Sequence, residues 1–286
     1  MKKILVLVSL MLACCGGFAQ KSKSAKHRFT VYGFIVYAGY SQNGSNVKAS
    51  YKQLQQYLLQ YGVNTMDLIY EQKVLDYPTG DKKNGIPNIA RIDSLSQQAL
   101  GFKDVLVSLD LEGWNRWDTV KTTARMIETI NYFKKVNSKS KVGLYATVPQ
   151  NTYAYSENIN RYDKINKGYA GVAAAVDYFS PSLYNYDADT VNWNKTALYN
   201  INACKKYNYP DKPILPYITP EVDNKGVKSM LTYDEMMSHL QTLYKLGANG
   251  CLLWTSSGMR YANGQKVYVD VNSGWMKAVK DFIASH

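Results

Sequence analysis

The chain has 286 residues, 46% of them hydrophobic, with 34 Lys and Arg against 22 Asp and Glu and a formal net charge of +12. That length allows one large domain or two small ones, and a single barrel of about 250 residues fits once the N-terminus is set aside. The basic balance favours anionic partners such as acidic polysaccharide, nucleic acid or a membrane surface, but no zinc-finger spacing, RNA-binding signature or compact Lys/Arg block supports nucleic acid.

In chain order, Met1-Lys2-Lys3 and the apolar run over 4–13 read as a bacterial export signal. Two processing routes are open. Gly17-Phe18-Ala19 is a small-x-Ala cleavage site, and Met11-Leu12-Ala13-Cys14 is a loose lipobox that would leave a lipid-modified Cys14. The expected organisation is a signal peptide over 1–19 (or a lipoprotein signal ending near Cys14), a basic linker over 20–27, and one domain over 28–286. The protein is then exported, as a periplasmic, outer-membrane-anchored or secreted monomer. The apolar run is too short for a permanent span, so membrane contact would come only through a lipid.

Within the domain, strands are expected over 29–38, 65–71, 105–112, 141–148, 177–184, 212–218 and 250–255. Helices are expected over 49–61, 93–100, 118–136 with Asp118 as cap, a stretch ending at 175, 194–207, 232–246 and 275–283. The long polar loop over 77–87 has the character of a cleft wall. Pro181 and Pro216 interrupt the fifth and sixth strands. Seven strands alternating with helices give an α/β chain with a parallel sheet, closed as a barrel or open and doubly wound. No Gly-x-Gly-x-x-Gly or phosphate loop follows an early strand, and no cofactor is expected. Cys204 falls on a helix and Cys251 opens a strand, which favours unpaired core thiols. His27, His239 and His286 form no metal-ligand spacing.

The third strand carries the chemistry. Alternation puts Val105, Val107, Leu109 and Leu111 on one face and Leu106, Ser108, Asp110 and Glu112 on the other. Both acids then point the same way at a strand C-terminus, where α/β barrels keep their active sites. Carboxylates roughly 6–7 Å apart in a partly dry cleft resist joint ionisation, so one holds a proton near neutral pH. That is a glycosidase's equipment, although such acids also cap helices or pair with Lys and Arg. The other strand ends bring Tyr145, Tyr184, Tyr217, Trp254 and Ser256. Acids ringed by aromatics and hydroxyls describe a carbohydrate cleft better than a phosphate or metal site. The 25 tyrosines suit the same ligand class, since a phenol offers a flat apolar face and a hydroxyl.

Asp110-Leu111-Glu112-Gly113-Trp114 resembles the Asp-x-Glu-x-Trp motif of the hyaluronidases, glycoside hydrolase family 56. Further likeness follows in order: Val31-Tyr32, Ile69-Tyr70, Asn84-Gly85-Ile86-Pro87, Gly143-Leu144-Tyr145, Pro181-Ser182-Leu183-Tyr184, Ile214-Leu215-Pro216-Tyr217 and Leu253-Trp254-Thr255-Ser256. The resemblance implies a distorted TIM-type (β/α) barrel of seven strands that cleaves N-acetylhexosamine-containing polysaccharide. It also implies a substrate-assisted retaining mechanism, in which Glu112 is the general acid and Asp110 orients the substrate's own 2-acetamido nucleophile. Tyr184 and Tyr217 would position that group, Trp254 would floor the pocket, Ser256 would hydrogen-bond beside it, and Tyr145 and Trp114 would line the site. Leu111 stands where the family has an aromatic, Asn115-Arg116 replaces its Arg-Pro, and its disulfides have no obvious counterparts. A chitinase-like or endo-N-acetylglucosaminidase-like enzyme, and a non-catalytic glycan-binding lipoprotein on the same barrel, therefore stay open.

Overall fold

Alternating β-branched and aromatic residues build Thr30–Phe34, which pairs in parallel with Gly250–Trp254 on one side and Val63–Tyr70 on the other. The computed structural model describes residues 28–101, 105–186, 188–224 and 226–286. The expected leader over 1–19 and linker over 20–27, with Cys14, lie outside the described residues. Six parallel strands form one sheet in the order Lys141–Leu144, Leu106–Asp110, Val63–Tyr70, Thr30–Phe34, Gly250–Trp254, Tyr217–Ile218.

The expected fifth strand is the seventh stave and closes the ring without a regular ladder. On one flank the Asp177 N–H donates to the Val142 carbonyl at 2.8 Å and the Ala146 N–H to the Ser180 carbonyl at 3.0 Å. On the other, the Leu215 N–H donates to Phe179 and the Tyr217 N–H to Pro181, both at 2.8 Å. Pro181, Pro213 and Pro216 have no N–H to give, so isolated bridges at Phe179–Ile214 and Ser182–Tyr217 stand in for a ladder. The result is the expected distorted (β/α) barrel in one domain.

Other boundaries move for local reasons. Asn88 accepts the Arg91 N–H and starts a helix at Ile89, earlier than expected. Asp118 accepts the Val120 and Lys121 amides, but regular helix begins only at Lys121. The stretch expected to run as one helix to 175 is two, Tyr162–Gly168 and Ala170–Ala175. Cys204 and Cys251 are free and buried. No helix among the described residues is long and apolar enough to cross a membrane.

The core has two layers. Val107, Leu109 and Leu111 face outward into the layer shared with the helices, together with Ile130 and Phe133 of Lys121–Val136. Leu106, Met66, Leu68, Leu252 and Leu215 fill the lumen with Tyr178 and Tyr217, and Tyr32, Tyr70, Tyr145 and Tyr184 pack onto them. Lumen phenols need partners: the Tyr217 hydroxyl donates to the Ser108 hydroxyl at 2.7 Å, and the Tyr178 hydroxyl to the Val107 carbonyl at 2.8 Å. Tyr178 also needs room, which Gly143 supplies, since a Cβ there would stand 2.3 Å from the Tyr178 ring. Gly143→Ala should therefore cost about 1–3 kcal/mol by overpacking and lower the melting temperature by several degrees. An unchanged thermal melt would show that the lumen can yield at this point.

Candidate active site

Strand pairing ends where the chemistry begins. Asp110 is the last residue of its strand and pairs with Tyr70, the last of the second. The expected strand over 105–112 thus stops two residues early, and Glu112 sits on the turn that follows. Strand alternation does not aim Glu112; a third carboxylate does. Glu71, which follows Tyr70, is buried and accepts the Gly113 N–H at 2.6 Å through one oxygen. Its other oxygen lies 3.5 Å from the Lys82 ammonium. A Cβ at Gly113 would stand 2.9 Å from the Glu71 oxygen and 3.1 Å from the Lys82 backbone carbonyl, so a side chain there would have to displace the Glu71 carboxylate.

Lys82 belongs to the long loop expected as a cleft wall. A short ribbon between Leu75–Asp76 and Ile86–Pro87 closes that loop, and the Arg125 guanidinium donates to its Lys83 carbonyl at 3.3 Å. Trp114 holds the same loop. The indole is 4% exposed and donates to the Gly85 carbonyl at 2.9 Å. Trp114, expected as a sugar contact, thus has its ring in the core and its N–H on the loop.

The acids respond to this crowding. Burial pushes Asp110 up to about 7, and the charges of Glu112 and Glu71 add to the rise while Lys82 opposes it. Glu112 reaches solvent at the mouth, yet the protein around it is close enough that partial burial and Glu71 raise its proton affinity, against Arg116 and Lys82. The two acids interact, so the proton held near neutrality belongs to the pair.

The aromatic strand ends assemble beside them. Tyr145 meets Tyr217 edge-on at 5.0 Å and lies 5.8 Å from Tyr184, which stacks on Trp254 at 5.4 Å. Tyr145, Tyr184 and Trp254 are partly exposed. Tyr217, expected to position the sugar's acetamido group, is 0% exposed beneath them and donates its hydroxyl to Ser108. The Ser256 hydroxyl accepts the Gly258 N–H at 3.1 Å, and its own N–H donates to Glu221 at 2.6 Å. Ser256 thus stabilises its own turn. Glu221 also takes the Tyr37 hydroxyl at 2.8 Å.

The structure therefore links Tyr145 to Asp110 and Glu112 by charge and, through ring contacts, to Tyr184 and Trp254. The sequence reading passed over Glu71, whose signal was its place at a barrel-strand C-terminus. It also passed over the pair formed by Asn151 and Tyr186: the Asn151 side chain donates to the Tyr186 hydroxyl at 3.0 Å, and that hydroxyl lies 3.0 Å from Ser182. No group of three or more His, Cys, Asp or Glu side chains among the described residues could hold a metal ion.

No protein-family model and no curated protein sequence matches the chain. Solved structures do. Bee venom hyaluronidase is similar at a TM-score of 0.56 and 14% identity, over 80% of this chain and 91% of that one. Active domain 2 of the thermostable chitinase from Pyrococcus furiosus, complexed with chito-oligosaccharides, gives 0.52 at 10% identity, over 91% and 96%. A class V chitinase from Pseudomonas fluorescens gives 0.51 at 12% identity, over 88% and 90%. At such identities the likeness is one of fold.

The raised Asp110 has a consequence for stability. Between its unfolded value of 3.8 and about 7, the native chain keeps a proton that the unfolded chain has released, so stability falls as pH rises through that window. Asp110→Asn removes the penalty. The variant should be more stable than the wild type at pH 7, by on the order of 1 kcal/mol once screening at the mouth is allowed for, and equal to it near pH 4. Thermal melts at both pH values check this, and a gap of the same size at each would sink it.

Proposed function

We propose that the protein is a glycoside hydrolase acting on N-acetylhexosamine-containing glycans by substrate-assisted catalysis. The observation that carries this reading is the proton-holding pair of Asp110 and Glu112 at a barrel-strand end beside Tyr145, Tyr184 and Trp254. The similar barrels of a hyaluronidase and a chitinase support it.

In this mechanism Glu112, at the mouth, gives the pair's proton to the glycosidic oxygen as the bond breaks. Asp110, deeper and desolvated, accepts the N–H of the substrate's 2-acetamido group, whose carbonyl oxygen attacks the anomeric carbon, and balances the positive charge that develops there. Trp254 and Tyr184 offer apolar faces to the sugar ring, and the Tyr145 hydroxyl lies 3.4 Å from Ser182 at the cleft wall. The deprotonated Glu112 then takes a proton from water as the cyclic intermediate opens with retained configuration. No enzyme nucleophile is required. Of the other carboxylates, Glu71 is engaged by Gly113 and Lys82, and Glu221 by Ser256 and Tyr37.

The chitinase-like reading shares this chemistry and differs only in the glycan. The exported location rests on the leader sequence alone.

A reducing-end assay with hyaluronan, chondroitin, chitin oligomers and N-glycans should show release from at least one. Glu112→Gln should lower turnover by about 10²–10⁴-fold, with a thermal melt at pH 7 no lower than that of the wild type. Full turnover by that variant would rule out Glu112 as the acid. The same substrate stripped of its N-acetyl groups should resist cleavage, and ready hydrolysis of it would overturn the substrate-assisted step.

A further inference from the structure

Aromatic contact continues past the acid pair. Tyr184 lies 6.2 Å from Tyr186, and Tyr186 meets Tyr153 at 5.4 Å. The Arg116 guanidinium sits 5.8 Å over Tyr153 and 5.4 Å over Trp117. Trp117 and Tyr153, 59% and 50% exposed, are the two most exposed aromatic side chains among the described residues, and they flank the same arginine. Single exposed aromatics need no explanation, but two placed together on one cation at the end of a continuous ring series form a patch with an orientation.

The patch is also held in place. Arg116 donates to the Asn151 carbonyl at 2.7 Å and lies 5.5 Å over Tyr162, on which Trp117 stacks at 6.4 Å. Tyr153 adopts a left-handed backbone with φ of 56°, unusual for a tyrosine, and its N–H is taken by the Asn151 side chain at 2.9 Å. The cage adjoins the catalytic turn, because Arg116 is four residues from Glu112 in the chain and its charge reaches that acid. Rings braced in advance and about half exposed suit a flat apolar ligand of modest polarity, and a pyranose ring presents such a face.

We propose that Trp117 and Tyr153 form a subsite for a further pyranose ring of the same glycan strand, at the far end of the ring series from Trp254, so that the cleft holds several sugars at once. The proposal rests on the glycosidase reading and names what lies beyond the scissile bond.

The test is kcat/KM on a size-defined series of the oligomers that the glycan panel shows to be cleaved, for the wild type, Trp117→Ala and Tyr153→Asn. Asparagine tolerates the left-handed backbone, so the second variant removes the ring without straining the turn. For each variant the ratio of kcat/KM on long oligomers to that on the shortest should fall about three- to tenfold. Equal losses at every length, or none at any length, would overturn the subsite. If the wild type cleaves nothing in the panel, the glycosidase reading fails by itself. Equilibrium binding of chitin and hyaluronan oligomers to the wild type and Trp117→Ala then decides the subsite: weaker binding by the variant supports it, and equal affinity overturns it.

Discussion

Three carboxylates, Glu71, Asp110 and Glu112, meet at the open end of two adjacent staves, and their mutual repulsion is what the surrounding structure contains. Placed together in a partly dry cleft, they cannot all ionise without cost. The protein meets this with one backbone amide at Gly113, two cations at Lys82 and Arg116, and one proton kept between Asp110 and Glu112. The geometry of the turn that carries Glu112 follows from the same arrangement. Glu71 is fixed because its charge needs the Gly113 N–H, and Glu112 is aimed because the residue after it is fixed.

The lumen shows a second consequence of composition. Tyrosines fill a space that many barrels fill with branched aliphatics, and each phenol brings a hydroxyl that has to be satisfied. Tyr217 and Ser108 join Tyr217–Ile218 to Leu106–Asp110 across the interior, and Tyr178 reaches the Val107 carbonyl on that same strand, Leu106–Asp110. The strand that presents Asp110 is thus held from inside by two hydroxyl bonds and from outside by Leu109 and Leu111 packed under helices. Such a strand has little freedom to shift its last residue.

Much of this was legible in the sequence. Alternation assigned Leu106, Ser108 and Asp110 to the lumen and Val107, Leu109 and Leu111 to the helical layer, because a buried strand obeys a period of two whatever its partners. Pro181 and Pro216 marked where the ladder fails, because a missing N–H is a local fact. What escaped was non-local. Nothing in the spacing shows that Glu71 bonds to an amide 42 residues away, or that the Trp114 indole finds the Gly85 carbonyl 29 residues back. Strand alternation sets Glu112 beside Asp110, but its position depends on the Glu71 bond to Gly113, which alternation does not describe. Tyr217 was read as a ligand contact because its place in the chain marks a strand end, and only the packing of Tyr145 and Tyr184 above it shows that it is covered.

The loop over 77–87 and the turn that carries Glu112 share a single carboxylate as their common fastening. The Lys82 cation that helps fasten the wall of the cleft is also one of the charges that holds down the proton affinity of Asp110 and Glu112, so a change at Lys82 alters the wall and the acids together.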